Sequence, residues 1–155
     1  MKKKERGVNW ITKALAVGPS RGGGGPSLTG LKKAGFHHVL DLNADPEEAR
    51  IAKRVGVVHH SFRTTDQSSK RVWVTNMRKA VDVIQRAEKS QERVYLHCTK
   101  GLGRSPTFAM AYLISRGNSV AEAIDSVKRT NPMIWCEGNP TEKYGEILKA
   151  FAKMA

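Results

Sequence analysis

The chain reads as an α/β domain whose mainly parallel sheet is covered by helices on both faces. Short apolar runs bounded by turn residues recur at Ala14–Val17, His38–Leu42, Val55–Phe62 and Arg93–His97, and such runs are strand signals. Longer stretches with helical spacing lie between them, and strands alternating with helices build parallel sheets. One segment, RSPTFAMAYLISRG from Arg104, is apolar on nearly every side, as a helix buried in the centre of such a domain must be. A chain of 155 residues is long enough for one such core and short for two.

At the start, MKKKER is basic, and residues 1–7 are expected to form a tail ahead of a single domain over 8–155. The tail has the charge of a signal peptide's first part, but GVNWITKALAVG is too mixed to supply the apolar region that would follow. After the Ala14–Val17 strand comes PSRGGGGPS, Pro19–Ser27, whose consecutive glycines predict a mobile connector. It lacks the Lys-Ser/Thr pair of a phosphate cradle and is assigned no site. Beyond the Val55–Phe62 strand, Trp73, Met77, Ala80, Val81, Ile84 and Ala87 fall on one face of a helix starting near Lys70.

Past the Arg93–His97 strand and the apolar helix, Ser119 and Glu122 form a capping box. It opens a helix with Val120, Ala123, Ile124 and Val127 inside, stopped by Asn131-Pro132. A last helix over Thr141–Ala152 carries Tyr144, Ile147, Leu148 and Phe151. The longest purely apolar run, Phe108–Ile114, is seven residues, far below the roughly 20 that span a bilayer.

The formal charge is 27 − 14 = +13, which favours anionic partners through long-range attraction. The basic clusters KKKER, LKK and KR are scattered and not interleaved with aromatics, so nucleic acid stays open as a partner without being indicated. Two cysteines, Cys98 and Cys136, make no disulfide framework; a reducing, cytoplasmic compartment is expected. Cys136 reads as a packing or surface thiol. The pairs His37-His38 and His59-His60 show no carboxylate or cysteine partner in the sequence and read as structural, with no metal site.

The chemistry concentrates in VYLHCTKGLGRSP, Val94–Pro106. Sites in α/β sheets lie at the carboxyl ends of strands, and Cys98 follows such an end. Gly101 and Gly103 permit positive φ and let backbone N–H groups converge, while Pro106 suits the first turn of the next helix. Cys98 therefore faces amides at a helix N-terminus, an anion site whose field also favours a thiolate. Arg104 offers a planar fork that matches two phosphoryl oxygens. A thiolate attacking a phosphate ester needs a proton for the departing oxygen. Asp66, in SFRTTDQSSK on the loop leaving the third strand, is the candidate acid; Asp41, ending an earlier strand, is its rival and reads as a turn residue. Ser105 can donate a hydrogen bond to the sulfur.

HCTKGLGRS resembles the His-Cys, five residues, Arg-Ser/Thr signature of the cysteine-dependent protein tyrosine phosphatases. The spacing 98 − 66 = 32 is similar to that of their dual-specificity branch. The resemblance implies a compact domain with a mixed sheet of about five strands. It implies phosphate monoester hydrolysis through a phosphocysteine, without metal or cofactor, on phosphotyrosine and also on phosphoserine or phosphothreonine of proteins. Cys98 is then the nucleophile, Arg104 the phosphate binder, Asp66 the acid and later base, and Ser105 the assistant. Thr99, Lys100, Gly101, Leu102 and Gly103 complete the substrate loop, with Lys100 either meeting a second anionic group or pointing to solvent. His97 is expected to hold the loop from behind and tune the thiolate. Two other readings stay open: a phosphatase for RNA 5′ phosphates, phosphoinositides or phosphoglucan, and a catalytically silent phosphate-binding module.

Overall fold

Alternation of apolar side chains on both faces of three short strands determines the architecture. The computed structural model describes residues 7–154; residues 1–6 of the expected tail lie outside them. Its sheet contains β1 (Asn9–Trp10), β2 (Leu15–Gly18), β3 (His38–Asp41), β4 (Val58–Ser61) and β5 (Val94–His97) in the order β1-β2-β5-β3-β4. Only the β1–β2 pair is antiparallel, so the sheet is mixed and mainly parallel, as the sequence predicts.

Register places Ala16, Tyr95 and Val39 side by side, and Val17, Leu96 and Leu40 in the adjacent row. Because neighbouring strand residues face opposite sides, the first row packs with Leu28, Leu31, Phe36 and Ala52. The second joins the larger core with Trp73, Met77, Phe108, Tyr144 and Leu148. Helices α1 (Leu28–Lys33) and α2 (Pro46–Val55) cover the first face; α3 (Lys70–Lys89), α4 (Arg104–Ser115), α5 (Val120–Lys128) and α6 (Thr141–Met154) build the other. Every residue of α4 from Ser105 to Ile114 is buried, in agreement with its unbroken apolar sequence. The capping box of Ser119 and Glu122 is formed in both directions.

Three features differ from the sequence reading. The third strand starts at Val58, not Val55, because Val55 ends α2 and Gly56 caps it in the left-handed conformation at φ 85°. Helices α1 and α2 escape the apolar-run reading because they are polar and short of inward residues: Leu28 and Leu31 are buried in α1, Glu48 and Ala52 in α2. The glycine tract expected as a mobile connector instead packs on the Cys98 loop. It forms a 3-10 turn at Arg21–Gly23; Ser20 N–H donates to Thr99 O at 3.0 Å, and a Cβ on Gly23 would lie 1.9 Å from that oxygen.

Beneath the carboxyl ends of β3 and β5 lie two buried carboxylates and two imidazoles. Glu48 Oε2 accepts from His97 Nε2 at 2.7 Å and from His59 Nε2 at 3.1 Å. Asp41 Oδ2 accepts from His59 Nε2 at 3.1 Å. The expectation that the histidine pairs lack carboxylate partners is thus corrected: His59 has two, and His38 Nε2 meets Glu92 Oε1 at 3.0 Å. These partners come from elements distant in sequence, so no local motif announces them.

Burial opposes the charged form of Glu48, but hydrogen bonds from His59 and His97 outweigh it and lower its pKa to about 2. Burial likewise opposes charge on His59, yet its bonds to Asp41 and Glu48 raise it to about 9. His60 has no such partner, and burial, with the charges of His38 and His59, lowers it to about 4.

These shifts set a pH dependence of stability. The contribution of His59 is complete below 6.5 and is lost as pH rises to about 9. That of Glu48 is complete above 4.5 and disappears as pH falls to about 2, while His60 disfavours folding as pH falls from 6.5 to about 4. Urea denaturation of the Cys98→Ser protein, which lacks the thiol whose lowered pKa would make stability rise with pH in the same window, is expected to show greatest stability near pH 6.5. Stability that kept rising from there towards pH 9 would contradict the network.

Candidate active site

β5 delivers Cys98 to the carboxyl edge of the sheet, and the chain turns through residues 99–103 directly into α4. The N-cap of α4 is Gly103, and no side chain caps this terminus, so the first amides of a 12-residue helix stay directed at whatever sits before them. Cys98 is 3 % exposed. Burial alone would push its thiol up. The Ser105 hydroxyl and backbone N–H, the Arg104 charge and the Gly101 N–H act in the other direction, and the net shift is downward. Ser105 Oγ lies 3.3 Å from Sγ.

The two loop glycines are required for different reasons. Gly101 has φ 76°, and a Cβ there would come within 2.4 Å of the Gly18 carbonyl carbon. Gly103 has negative φ, at −126°, and so does not use the positive φ that a glycine permits. A Cβ at 103 would instead strike Asn139 Oδ1 at 2.4 Å and the Tyr144 hydroxyl at 2.8 Å.

Arg104 is held from the β3 and β4 side. Its Nη1 donates to Asn43 Oδ1 at 3.1 Å and to Thr64 O at 2.8 Å, and its Nη2 donates to Thr99 Oγ1 at 3.3 Å. Such anchoring fixes the plane of the guanidinium beside the loop. Leu102 is tied down from the opposite side, its carbonyl accepting the Trp135 N–H at 2.8 Å.

Asp66, on the loop between β4 and α3, shares a cavity of ≈ 370 Å³ with Cys98, Lys100, Arg104, Cys136 and Tyr144. Its Oδ1 accepts from the Tyr144 hydroxyl at 2.7 Å. Lys143 Nζ donates to the carbonyls of Asp66 and of Ser68, the latter at 2.9 Å. The loop that carries Asp66 is thereby clamped to α6. Asp41 stands elsewhere: it is fully buried and accepts from the backbone N–H groups of Asn43 and Asp45 at 2.8 and 2.9 Å. That is the role of a turn residue at the entry to α2. Lys100 is exposed on the cavity rim. Cys136 lines the same cavity and is half-buried, and both cysteines are free thiols.

Sequence reasoning missed Asn43, Thr64, Lys143 and Tyr144. Asn43 lies in a turn motif, LNADP, that reads as connection only, and Tyr144 sits at a helical position that signals core packing. It does pack in the core, with its ring 5.4 Å from Trp73, while its hydroxyl reaches the cavity. Amphipathic spacing identifies the ring's environment and says nothing of where the polar tip ends.

Comparison with known proteins agrees with this geometry. Residues 24–148 match the family model of the dual specificity phosphatase catalytic domain. The tyrosine-protein phosphatase YVH1 of Saccharomyces cerevisiae is 44% identical over 62 residues, which is 39% of this chain and 16% of that protein. Human dual specificity protein phosphatase 16 is 42% identical over 57 residues, 36% of this chain and 9% of its own. The matched segments are therefore small fractions of those relatives' lengths. Among solved structures, kinase associated phosphatase superposes with TM-score 0.80 at 16% identity, covering 99% of this chain and 97% of that one. Human DUSP28 does so with TM-score 0.75 at 19% identity, covering 99% and 98%. At such identities the structures show the shared fold. The match over residues 24–148, with the Cys98 loop and α4 inside it, shows that the chain belongs to the dual specificity phosphatase catalytic domain family.

Proposed function

We propose that the chain hydrolyses phosphate monoesters through a phosphocysteine intermediate, acting on phosphotyrosine and on phosphoserine or phosphothreonine of proteins. The observation that carries this reading is the meeting of Cys98, Arg104 and Asp66 around one cavity, with the thiol shifted towards its anion. In the first step the Cys98 thiolate attacks phosphorus. The S–P bond forms, the ester P–O bond breaks, and Asp66 passes its proton to the departing oxygen. The loop amides and Arg104 stabilise charge on the equatorial oxygens. In the second step water attacks phosphorus, Asp66 takes a proton from it, and the S–P bond breaks. The Ser105 hydroxyl, 3.3 Å from sulfur, supports the thiolate as it leaves, and phosphate is released.

The charge of +13 and an exposed lysine, Lys100, on the cavity rim also suit a second reading, a non-protein substrate such as an RNA 5′ phosphate, a phosphoinositide or a phosphoglucan. PTPMT1, a structural neighbour with TM-score 0.78 and 22% identity over 96% of each chain, has been crystallised in complex with PI(5)P. A turnover panel of phosphotyrosine and phosphothreonine peptides, an inositol phospholipid, RNA 5′-triphosphate and phosphoglucan separates the readings. Tight phosphopeptide binding with no turnover of any substrate would instead favour a silent binding module.

The protein is expected to release phosphate from p-nitrophenyl phosphate without added metal, and Cys98→Ser to abolish this; full activity in that variant would end the proposal. Asp66→Asn should slow turnover by about 10²–10⁴ for a leaving group that needs its proton, whereas Asp41→Asn should act mainly on stability. Iodoacetate should alkylate Cys98 with a pH midpoint well below the ordinary thiol value of about 8.5. A midpoint at or above that value would argue against an activated sulfur.

A further inference from the structure

The buried quartet behind the Cys98 loop has a geometry that goes beyond structural filling. His97 uses both ring nitrogens: Nε2 faces Glu48 Oε2 at 2.7 Å, and Nδ1 faces the Cys98 carbonyl at 2.9 Å. The Cys98 carbonyl only accepts, and Glu48, whose pKa is lowered to about 2, accepts as a carboxylate, so both ring nitrogens donate and the ring is an imidazolium. His59 Nε2 lies 3.1 Å from both Asp41 Oδ2 and Glu48 Oε2, and its Nδ1 lies 3.4 Å from Ser61 Oγ. Two imidazolium rings then balance two carboxylates with side chains at most 7% exposed.

We propose that Glu48 is a positioning residue for the phosphate loop: its Oε2 bridges the two imidazoles, holds the His97 ring in place, and through that ring fixes the carbonyl of Cys98. A carbonyl engaged beneath the loop is not free to turn its negative end towards the thiolate or an arriving phosphate. The arrangement draws on every packed element. Asp41 comes from β3 and Glu48 from α2, with the helix-entry Asp45 paired outward to Arg21 at 3.1 Å. His59 comes from β4, beside His60 and near Lys53. His97 comes from β5, its ring 5.9 Å from that of Tyr95.

The directions of titration agree. Burial opposes charge on His97, but the bonds to Glu48 and the nearby Asp41 carboxylate raise its pKa overall. Removing the Glu48 charge while keeping its volume leaves two imidazolium rings facing one carboxylate. Burying an unbalanced charge is costly, so one ring gives up a proton and His97 loses a fixed donor.

Activity measurements in this test rest on the phosphocysteine reading; histidine titration and alkylation do not. The test compares the intact protein with Glu48→Gln and Glu48→Asp. Nitrogen NMR of the histidine rings should find His97 still doubly protonated in the unsubstituted protein at pH 7, above the ordinary midpoint near 6.5, in line with the upward direction of its shift. In Glu48→Gln its ring should titrate at lower pH than in the unsubstituted protein. The same variant should lose about tenfold in kcat towards p-nitrophenyl phosphate with a smaller change in KM, as expected for one lost charge-assisted hydrogen bond. Its Cys98 alkylation midpoint should rise, and Glu48→Asp should recover part of both. A neutral His97 at pH 7 in the unsubstituted protein overturns the proposal. So does a folded Glu48→Gln protein with unchanged kcat and alkylation midpoint, or a stoichiometric metal ion bound in the cluster of Asp41, Glu48 and His97, whose ligand atoms lie within 4.8 Å of one another. Should the variant fail to fold, the ring titration of the unsubstituted protein decides alone. An inactive but correctly titrating protein would count against the catalytic reading and not against this one.

Discussion

A buried thiol whose surroundings favour its anion is the constraint on which the rest of the structure turns. At 3 % exposure Cys98 is almost out of water, and burial by itself disfavours a thiolate. The fold offsets this with groups held in place before any ligand arrives: the Ser105 hydroxyl and N–H, the Gly101 N–H and the Arg104 guanidinium. Each is fixed by something larger. Ser105 and Arg104 begin α4, the most deeply packed helix; Gly101 approaches the Gly18–Pro19 backbone so closely that no side chain fits; and Arg104 is pinned by Asn43, Thr64 and Thr99. Preorganised dipoles in a site that excludes water are what make such stabilisation large.

The two sides of the sheet have different duties towards that site. The larger core places α4 behind the loop and α6 beside it, so that Tyr144 can be packed against Trp73 and still bond Asp66. The smaller side carries ionised groups where an apolar core would suffice for stability. Replacing a buried ion network by apolar residues is often neutral or stabilising. Retaining one directly under the Cys98 peptide therefore suits a need for orientation more than for cohesion.

Much of this was legible in the sequence because its signals are local. Strand-forming runs set β2, β3 and β5; the apolar run of α4 announced its central burial; and the spacing from His97 to Ser105 described one turn whose residues must meet. Asp66 was legible as well, by its place in a polar loop at the end of a strand. The remainder depends on contacts between distant segments. Nothing in PEEARIAKRV announces that Glu48 faces inward across the sheet to His97, 49 residues later in the chain. Four glycines in a row describe backbone freedom, but not that Gly23 and Gly25 are small because other carbonyls already occupy the space. Residues whose polar tip and apolar body serve different neighbours, such as Tyr144, are read by periodicity only for the body.

The most direct measurement is a rapid alkaline quench of the protein during turnover of an aryl phosphate, followed by mass spectrometry of its peptides without acid exposure. The account predicts one added phosphoryl group on the peptide that carries Cys98, attached through sulfur and formed and lost at rates compatible with turnover. Phosphate released with no phosphorylated intermediate on that peptide, or the phosphoryl group found on His97, would contradict it.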